Sequence, residues 1–415
     1  MSQKKRILIL TADAGFGHRS AANAVSAALE MKYGDKVQVD IVNPLEDKHT
    51  PALLRDSQAD YDKLVRKAPE LYRLGYDASD TTVTSLILES AVTVMLFEVM
   101  RETLRKFRPH AIFSTYPLYQ APLAAVFSVF KTYVPLLAVV TDLVSVHRMW
   151  FNSNVDNLLV PTHIVEDLAI EAGVAADKIK ITGIPVHPMI AEEHRPAREI
   201  RSELGWQMET LTILAVGSKR VDGLMEMLQV INHFGAPLQL VVVCGKDEEM
   251  YRELHQVTWH IPVHLYEFTN KMPTFMHAAD LVVCKAGGLI VTESLACGLP
   301  MLLVDVIPGQ EMGNMEFVVE NGAGQLVENP IQMLEAMAHL TMKNRQLLAQ
   351  QAAQARGLGR PLAAYEAADL IFKAAEQPSV KREVSARKTL LELLTENQIK
   401  WREDEPLTQD DEPTG

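Results

Sequence analysis

The chain has 415 residues, 48% hydrophobic and 22% charged, the composition of a globular protein and not of a disordered one. That length exceeds the size at which a single core stops growing, so two domains are expected. With 40 Lys and Arg against 53 Asp and Glu the net charge is −13, which argues against broad non-specific binding to nucleic acid.

The basic start MSQKKR runs into Ile7-Leu8-Ile9-Leu10. This apolar stretch is short and is soon interrupted by Asp13 and His18, so it reads as a first strand and not as a signal peptide. Thr11 to Arg19 follow as a loop, TADAGFGHR, and then Ala21, Ala22, Val25, Ala28 and Leu29 recur at helical spacing. In an open α/β sheet such a loop lies where ligands bind, beyond the carboxyl end of a strand. Gly15 and Gly17 let the backbone approach a ligand, and His18 at the helix start could take a proton from an attacking hydroxyl. The residues alone read equally well as a dinucleotide-type turn in which His18 caps the helix.

Residues 45–108 form a long insertion that mixes Tyr61, Leu64, Leu71, Tyr72 and Tyr76 with Lys63, Arg66, Lys67 and Arg73. Such a surface can sit on anionic lipid headgroups; the alternative is an ordinary helical layer with solvated cations. The longest apolar stretch, 83–100, carries Glu89 and Glu98, which would be costly in hydrocarbon. A soluble or peripherally attached protein is therefore expected.

Further short apolar runs follow at Ala111–Phe113, Leu136–Val140 and Asn157–Val160. A second series comprises Leu211–Val216, Leu238–Val243, Val263–Leu265, Leu281–Val283 and Met301–Val304. Runs this short, separated by helix-length segments, indicate parallel strands covered on both faces, and two series indicate two doubly wound α/β domains. The boundary is expected near Gly183-Ile184-Pro185-Val186-His187-Pro188, with a helix over Ala197–Leu204 opening the second domain. A late helix is expected over Leu362–Ala375, a further helical pattern over Lys381–Gln398, and a disordered acidic end after it. Cys244, Cys284 and Cys297 form no CxxC pair and sit in apolar runs, so buried free thiols in a reducing cytosol are expected.

Two strings in the second half carry chemistry. In Cys284-Lys285-Ala286-Gly287-Gly288 a strand gives way to a glycine pair and a helix, whose exposed amides suit a diphosphate. Glu293, about one and a half turns in, is placed to accept hydrogen bonds from ribose hydroxyls; tight packing would explain the glycines but not a carboxylate in an Ala/Leu helix. After the Met301–Val304 run, Gln310, Glu311 and Asn314 offer the donors and acceptors that sugar hydroxyls require, though such a string is also an ordinary N-cap turn.

Together these elements resemble the family of monogalactosyldiacylglycerol synthases and processive diacylglycerol glucosyltransferases, and more distantly the N-acetylglucosaminyltransferase of the peptidoglycan lipid intermediate. The resemblance runs over roughly residues 5–375. It rests on G-x-G-H-R, on Thr141-Asp142 with His147 and Trp150, and on Gly183-Ile184-Pro185-Val186. It rests also on the Lys285–Glu293 string and on Ile307-Pro308-Gly309-Gln310-Glu311 followed by Gly313-Asn314. It implies a GT-B architecture, two Rossmann-like domains facing a cleft. Residues 1–190 would be the acceptor-side domain, 191–360 the nucleotide-sugar domain, 361–377 a helix crossing back, and 378–415 a tail.

On matching positions the resemblance makes His18 the general base, with Gly15, Phe16, Gly17, Asp142 and His147 on the acceptor side. Gly287 and Gly288 would meet the diphosphate, Glu293 the ribose, Gln310 and Glu311 the hexose, and the backbone at Phe268-Thr269 the uracil, with Asn314 also on the donor side. Gly217-Ser218-Lys219-Arg220 stands where relatives carry a glycine-rich loop, so Lys219 and Arg220 would supply charge in place of amides. Ile290 stands where relatives often carry Thr. The implied reaction is an inverting transfer of a hexose from a UDP-sugar to a lipid, diacylglycerol first, with no metal and no cofactor. It would take place in the cytoplasm, peripherally on the inner membrane face. Another hydrophobic alcohol as acceptor, a nucleotide-sugar epimerase and a non-catalytic nucleotide-sugar-binding relative are the alternatives.

Overall fold

The computed structural model describes residues 4–13, 16–55, 82–217, 221, 223–245, 247–307 and 311–377. The chain divides into two compact units, Met1–Pro185 with Leu362–Gly415, and Val186–Pro361.

The first unit holds a parallel sheet of β1 (Lys5–Leu10), β2 (Val37–Val42), β3 (Ala111–Ser114), β4 (Leu136–Val139), β5 (Asn157–Val160) and β6 (Ile179–Ile181). Their order is β2-β1-β3-β4-β5-β6. Because strand side chains alternate, Ile7 and Ile9 turn to one face and Leu8 and Leu10 to the other. Helix Thr82–Phe107, inside the expected insertion, buries Leu96, Phe97, Met100 and Leu104 against one face. Helix Phe16–Tyr33 covers the other with Ala22, Val25 and Leu29. The late helix Ala363–Glu376 packs beside it through Ala364, Ala367, Ala368, Ile371 and Ala375, a stripe at helical spacing. Tyr33 stacks on Phe372 at 3.9 Å and its hydroxyl donates to Asp369 at 2.6 Å, fastening the two helices.

The second unit repeats the plan with β7 (Leu211–Val216), β8 (Leu238–Val243), β9 (Val263–Tyr266), β10 (Leu281–Lys285), β11 (Met301–Asp305) and β12 (Gly324–Leu326). These run parallel in the order β12-β11-β10-β7-β8-β9. In each sheet the direction of winding reverses beside the first strand, between β1 and β3 and between β7 and β10. Ligands of doubly wound sheets bind at such switch points, and the G-x-G-H-R loop and the Lys285 string leave β1 and β10 there.

Strands β2, β6 and β12 were not expected from the sequence. All three are sheet edges. An edge strand pairs on one side only, so it can be short or half-exposed and need not be a continuous apolar run. Cys244 and Cys284 are buried, whereas Cys297 is only partly so. Among the described residues no helix is long and apolar enough to cross a membrane. The Lys381–Gln398 pattern and the acidic end lie outside the described residues, as do Tyr61 to Tyr76 of the insertion.

Helix Gly288–Cys297 packs on helix Gln346–Leu358, and Gly359 lets the backbones meet. A Cβ on Gly359 would overlap the Leu295 carbonyl oxygen and stand 2.8 Å from its carbon and 3.0 Å from Ala296 Cα. Backbone cannot swing aside as a flexible side chain does. Gly359→Ala should therefore destabilise the protein by about 1–3 kcal/mol, read as a lower denaturant midpoint at unchanged slope. An unchanged midpoint would show that the two helices can separate freely.

Candidate active site

The first unit gathers its chemistry at the ends of β1, β3 and β4. His18 stands in the first turn of helix Phe16–Tyr33, with Nδ1 3.1 Å from Thr141 Oγ1 at the end of β4. Tyr116 meets the imidazole edge-on at 5.0 Å between ring centroids, and Trp150 tilts over it at 5.9 Å. Burial pushes the His18 pKa down to about 4, against a backbone hydrogen bond at Thr115 that works the other way. The ring is consequently neutral at pH 7, with one N–H and one lone pair, the form a general base needs.

Sequence reasoning missed what steadies the loop before His18. Arg19 donates to both carboxylate oxygens of Asp13, at 2.9 and 2.8 Å, and Asn43 at the end of β2 donates to the same carboxylate at 3.2 Å. The buried Tyr119 hydroxyl donates to the Thr11 carbonyl at 3.0 Å and lies 3.3 Å from Asn43 Oδ1. The Asp-to-Arg spacing around G-x-G-H was the available signal. Asp142 is half-buried and follows Thr141 directly. Nδ1 of His147 accepts from the Met149 amide at 3.2 Å and caps the turn that presents Trp150. At Gly17 a Cβ would find nothing within 4 Å. Gly15 and the Phe16 side chain lie outside the described residues.

In the second unit the sites converge at the ends of β7, β10 and β11. Gly287 caps helix Gly288–Cys297 with extended backbone; the first turn of that helix carries neither an acidic residue nor a side-chain cap. Its amides are therefore available to an anion. Lys285, the last residue of β10, pairs with Glu311, whose other oxygen accepts from the Ile307 amide at 3.1 Å. Asn314 donates to the Ala286 carbonyl at 3.2 Å. Glu311 and Asn314 thus bind the end of β10 and the loops that follow β10 and β11. Glu293 is half-buried, without an ion-pair partner among the described residues, and burial raises its pKa to about 7.

Gly217 follows β7, where a Cβ would stand 2.8 Å from Met250 Sδ and 3.1 Å from Leu224 Cδ2, so a larger residue there would have to displace the end of the flexible Met250 side chain. Phe268 is 61% exposed beyond β9, and Thr269 Oγ1 accepts from the Lys271 amide at 3.0 Å. Lys219, Arg220 and Gln310 lie outside the described residues. Among the described residues no three His, Cys, Asp or Glu side chains are grouped to hold a metal ion.

Comparison with known proteins gives these sites a context. Residues 18–186 match the family model of monogalactosyldiacylglycerol (MGDG) synthase, and residues 212–369 the glycosyltransferase family 28 C-terminal domain. The chain is 32% identical over 392 residues to the probable chloroplastic monogalactosyldiacylglycerol synthase of Glycine max, covering 92% of this chain and 73% of that one. It is 33% identical over 350 residues to the chloroplastic monogalactosyldiacylglycerol synthase of Spinacia oleracea, covering 80% and 66%. In fold it is similar to the Acinetobacter baumannii MurG structure, with a TM-score of 0.56 at 15% identity over 89% of this chain and all of that one. The chain belongs to the monogalactosyldiacylglycerol synthase family, and it is a UDP-sugar-dependent glycosyltransferase of GT-B fold.

Proposed function

We propose that the protein transfers galactose from UDP-galactose to the free hydroxyl of diacylglycerol, with inversion and without a metal ion. The relatives' names supply the sugar and the lipid. The observation that carries the chemistry is a neutral, half-buried His18 held between Thr141, Thr115 and two aromatic rings. His18 takes the proton of the acceptor hydroxyl as its oxygen bonds to the anomeric carbon. The bond from that carbon to the β-phosphate oxygen breaks, and its electron pair leaves with UDP. The amides that open helix Gly288–Cys297 meet the diphosphate charge, and Glu293 accepts from the ribose hydroxyls.

Diacylglycerol resides in a bilayer, so the enzyme works at a membrane surface, on the cytoplasmic side in this reading. Leu53, Ile87, Leu88 and Val94 are exposed apolar residues of the first unit and support contact of that unit with lipid. Release of UDP by the purified protein, with UDP-galactose or UDP-glucose and diacylglycerol in mixed micelles, tests the reading. Lipid-dependent release with UDP-galactose is expected. Turnover with UDP-glucose alone would replace the sugar, and donor binding without turnover on diacylglycerol would overturn the acceptor.

A further inference from the structure

The Lys285–Glu311 pair is a charged couple set where β10 and β11 end. Its side chains keep only 19% and 8% of their exposure. Lys285 follows Val282, Val283 and Cys284 at the end of a central strand, and Glu311 precedes a helix whose Gly313 and Asn314 are buried. A pair this enclosed gives up hydration on both ions, and a hydrophobic pair of similar volume would be about as stable or more so. Folding alone therefore gives little reason for it.

Its position supplies another reason. Lys285 Nζ and Glu311 Oε1 lie 3.5 and 3.4 Å from where a Cβ on Gly287 would be, so the ion pair sits over the glycine that caps helix Gly288–Cys297. A cation at a helix N-terminus opposes the positive end of the helix dipole. Ammonium and uncapped amides thus concentrate positive potential at one place, and the carboxylate of Glu311 is paired with the ammonium there. Glu311 itself is fixed from behind by the Ile307 amide at 3.1 Å, so it is held as a rigid seat for the lysine and has no oxygen without a protein partner.

We infer that Lys285 is the cation that meets the donor's diphosphate and the charge that grows on UDP as it leaves, and that Glu311 is a positioning residue for Lys285 and not a contact of the hexose. This rests on the glycosyl transfer proposed above. As the bond between the anomeric carbon and the β-phosphate oxygen breaks, negative charge moves onto that oxygen, and a lysine at the phosphates favours the later state over the earlier.

Calorimetric titration of uridine, UDP and UDP-galactose into wild type and variants separates the possibilities. Lys285→Gln should weaken UDP by about 10- to 100-fold, the size of one lost charge-assisted contact, and leave uridine within about twofold. Glu311→Gln should weaken UDP and UDP-galactose by equal factors, because both lose the same phosphate contact. A Glu311→Gln variant that binds UDP like wild type and loses only UDP-galactose would make Glu311 a hexose contact and overturn the assignment. The double variant Lys285→Gln/Glu311→Gln leaves no buried charge unpaired. Its uridine binding reports folding, and a UDP affinity equal to that of wild type would dismiss Lys285 from the phosphates. A wild-type protein that turns over beside a Lys285→Gln variant of unchanged UDP affinity and kcat sinks this inference alone. Wild type that binds no UDP sinks the transfer reading and this inference with it.

Discussion

Replacing His18 with Ala should lower kcat by about 10²–10⁴-fold while leaving UDP-galactose affinity within about twofold of wild type. The imidazole acts on the acceptor hydroxyl, and the donor contacts proposed here are carried by the second unit. The pH dependence gives a second reading of the same residue. Since burial holds His18 near a pKa of about 4, the basic form persists well below neutrality. With donor saturating, kcat should stay level from pH 8 to about 5.5 and fall only as pH approaches 4. An ordinary histidine would give an acid limb near 6.5. Thr141→Val, which removes the hydroxyl 3.1 Å from Nδ1 and keeps the shape, should lower kcat more than it changes donor KM. A variant at position 18 that keeps its kcat but loses donor binding would move His18 from the acceptor to the donor and end its role as base.

Much of this architecture was legible because central parallel strands are covered on both faces and must be apolar throughout. Ile7–Leu10, Leu238–Val243 and Leu281–Val283 announce themselves in that way. Val37–Val42, Ile179–Ile181 and Gly324–Leu326 do not, since an edge tolerates Gln38, Asp40, Lys180 or Gly324 in the strand. The site divides along a similar line. Each loop's chemistry was visible in its own residues, but contacts between loops depend on which strands lie side by side. The resemblance put Asp142 on the acceptor side, and it is the residue before it, Thr141, whose hydroxyl lies 3.1 Å from His18 Nδ1. Lys285 and Glu311 are 26 residues apart and meet because β10 pairs with β11. The bracing of Asp13 by Arg19 and Asn43 likewise needs β1 beside β2.

Glu293 leads to the other large effect. Its carboxyl is half-buried in helix Gly288–Cys297, and desolvation alone lifts its pKa to about 7. At neutral pH roughly half of the molecules would carry it protonated. Ribose hydroxyls donate to the ionised form, so nucleoside and proton compete for one group and affinity must rise with pH. Uridine is the suitable probe because it has no phosphate titrating in the same range. Its affinity should be about tenfold weaker at pH 6 than at pH 8, and binding at pH 7 should release about half a proton per molecule to buffer. Glu293→Gln should lose about 10- to 100-fold in affinity at pH 8 and show no pH dependence between 6 and 8. The same substitution should stabilise the fold. A carboxyl with its folded pKa raised costs stability as pH climbs from its unfolded value near 4.5 through 7, and the full cost remains above that. The gain from Glu293→Gln should therefore be largest at pH 8 and shrink by pH 5. A group kept for binding gives opposite signs in the two measurements, weaker uridine and a higher Tm, whereas a group kept for packing would give a lower Tm and leave uridine alone. Uridine affinity that is flat with pH in the wild type would remove Glu293 from the ribose.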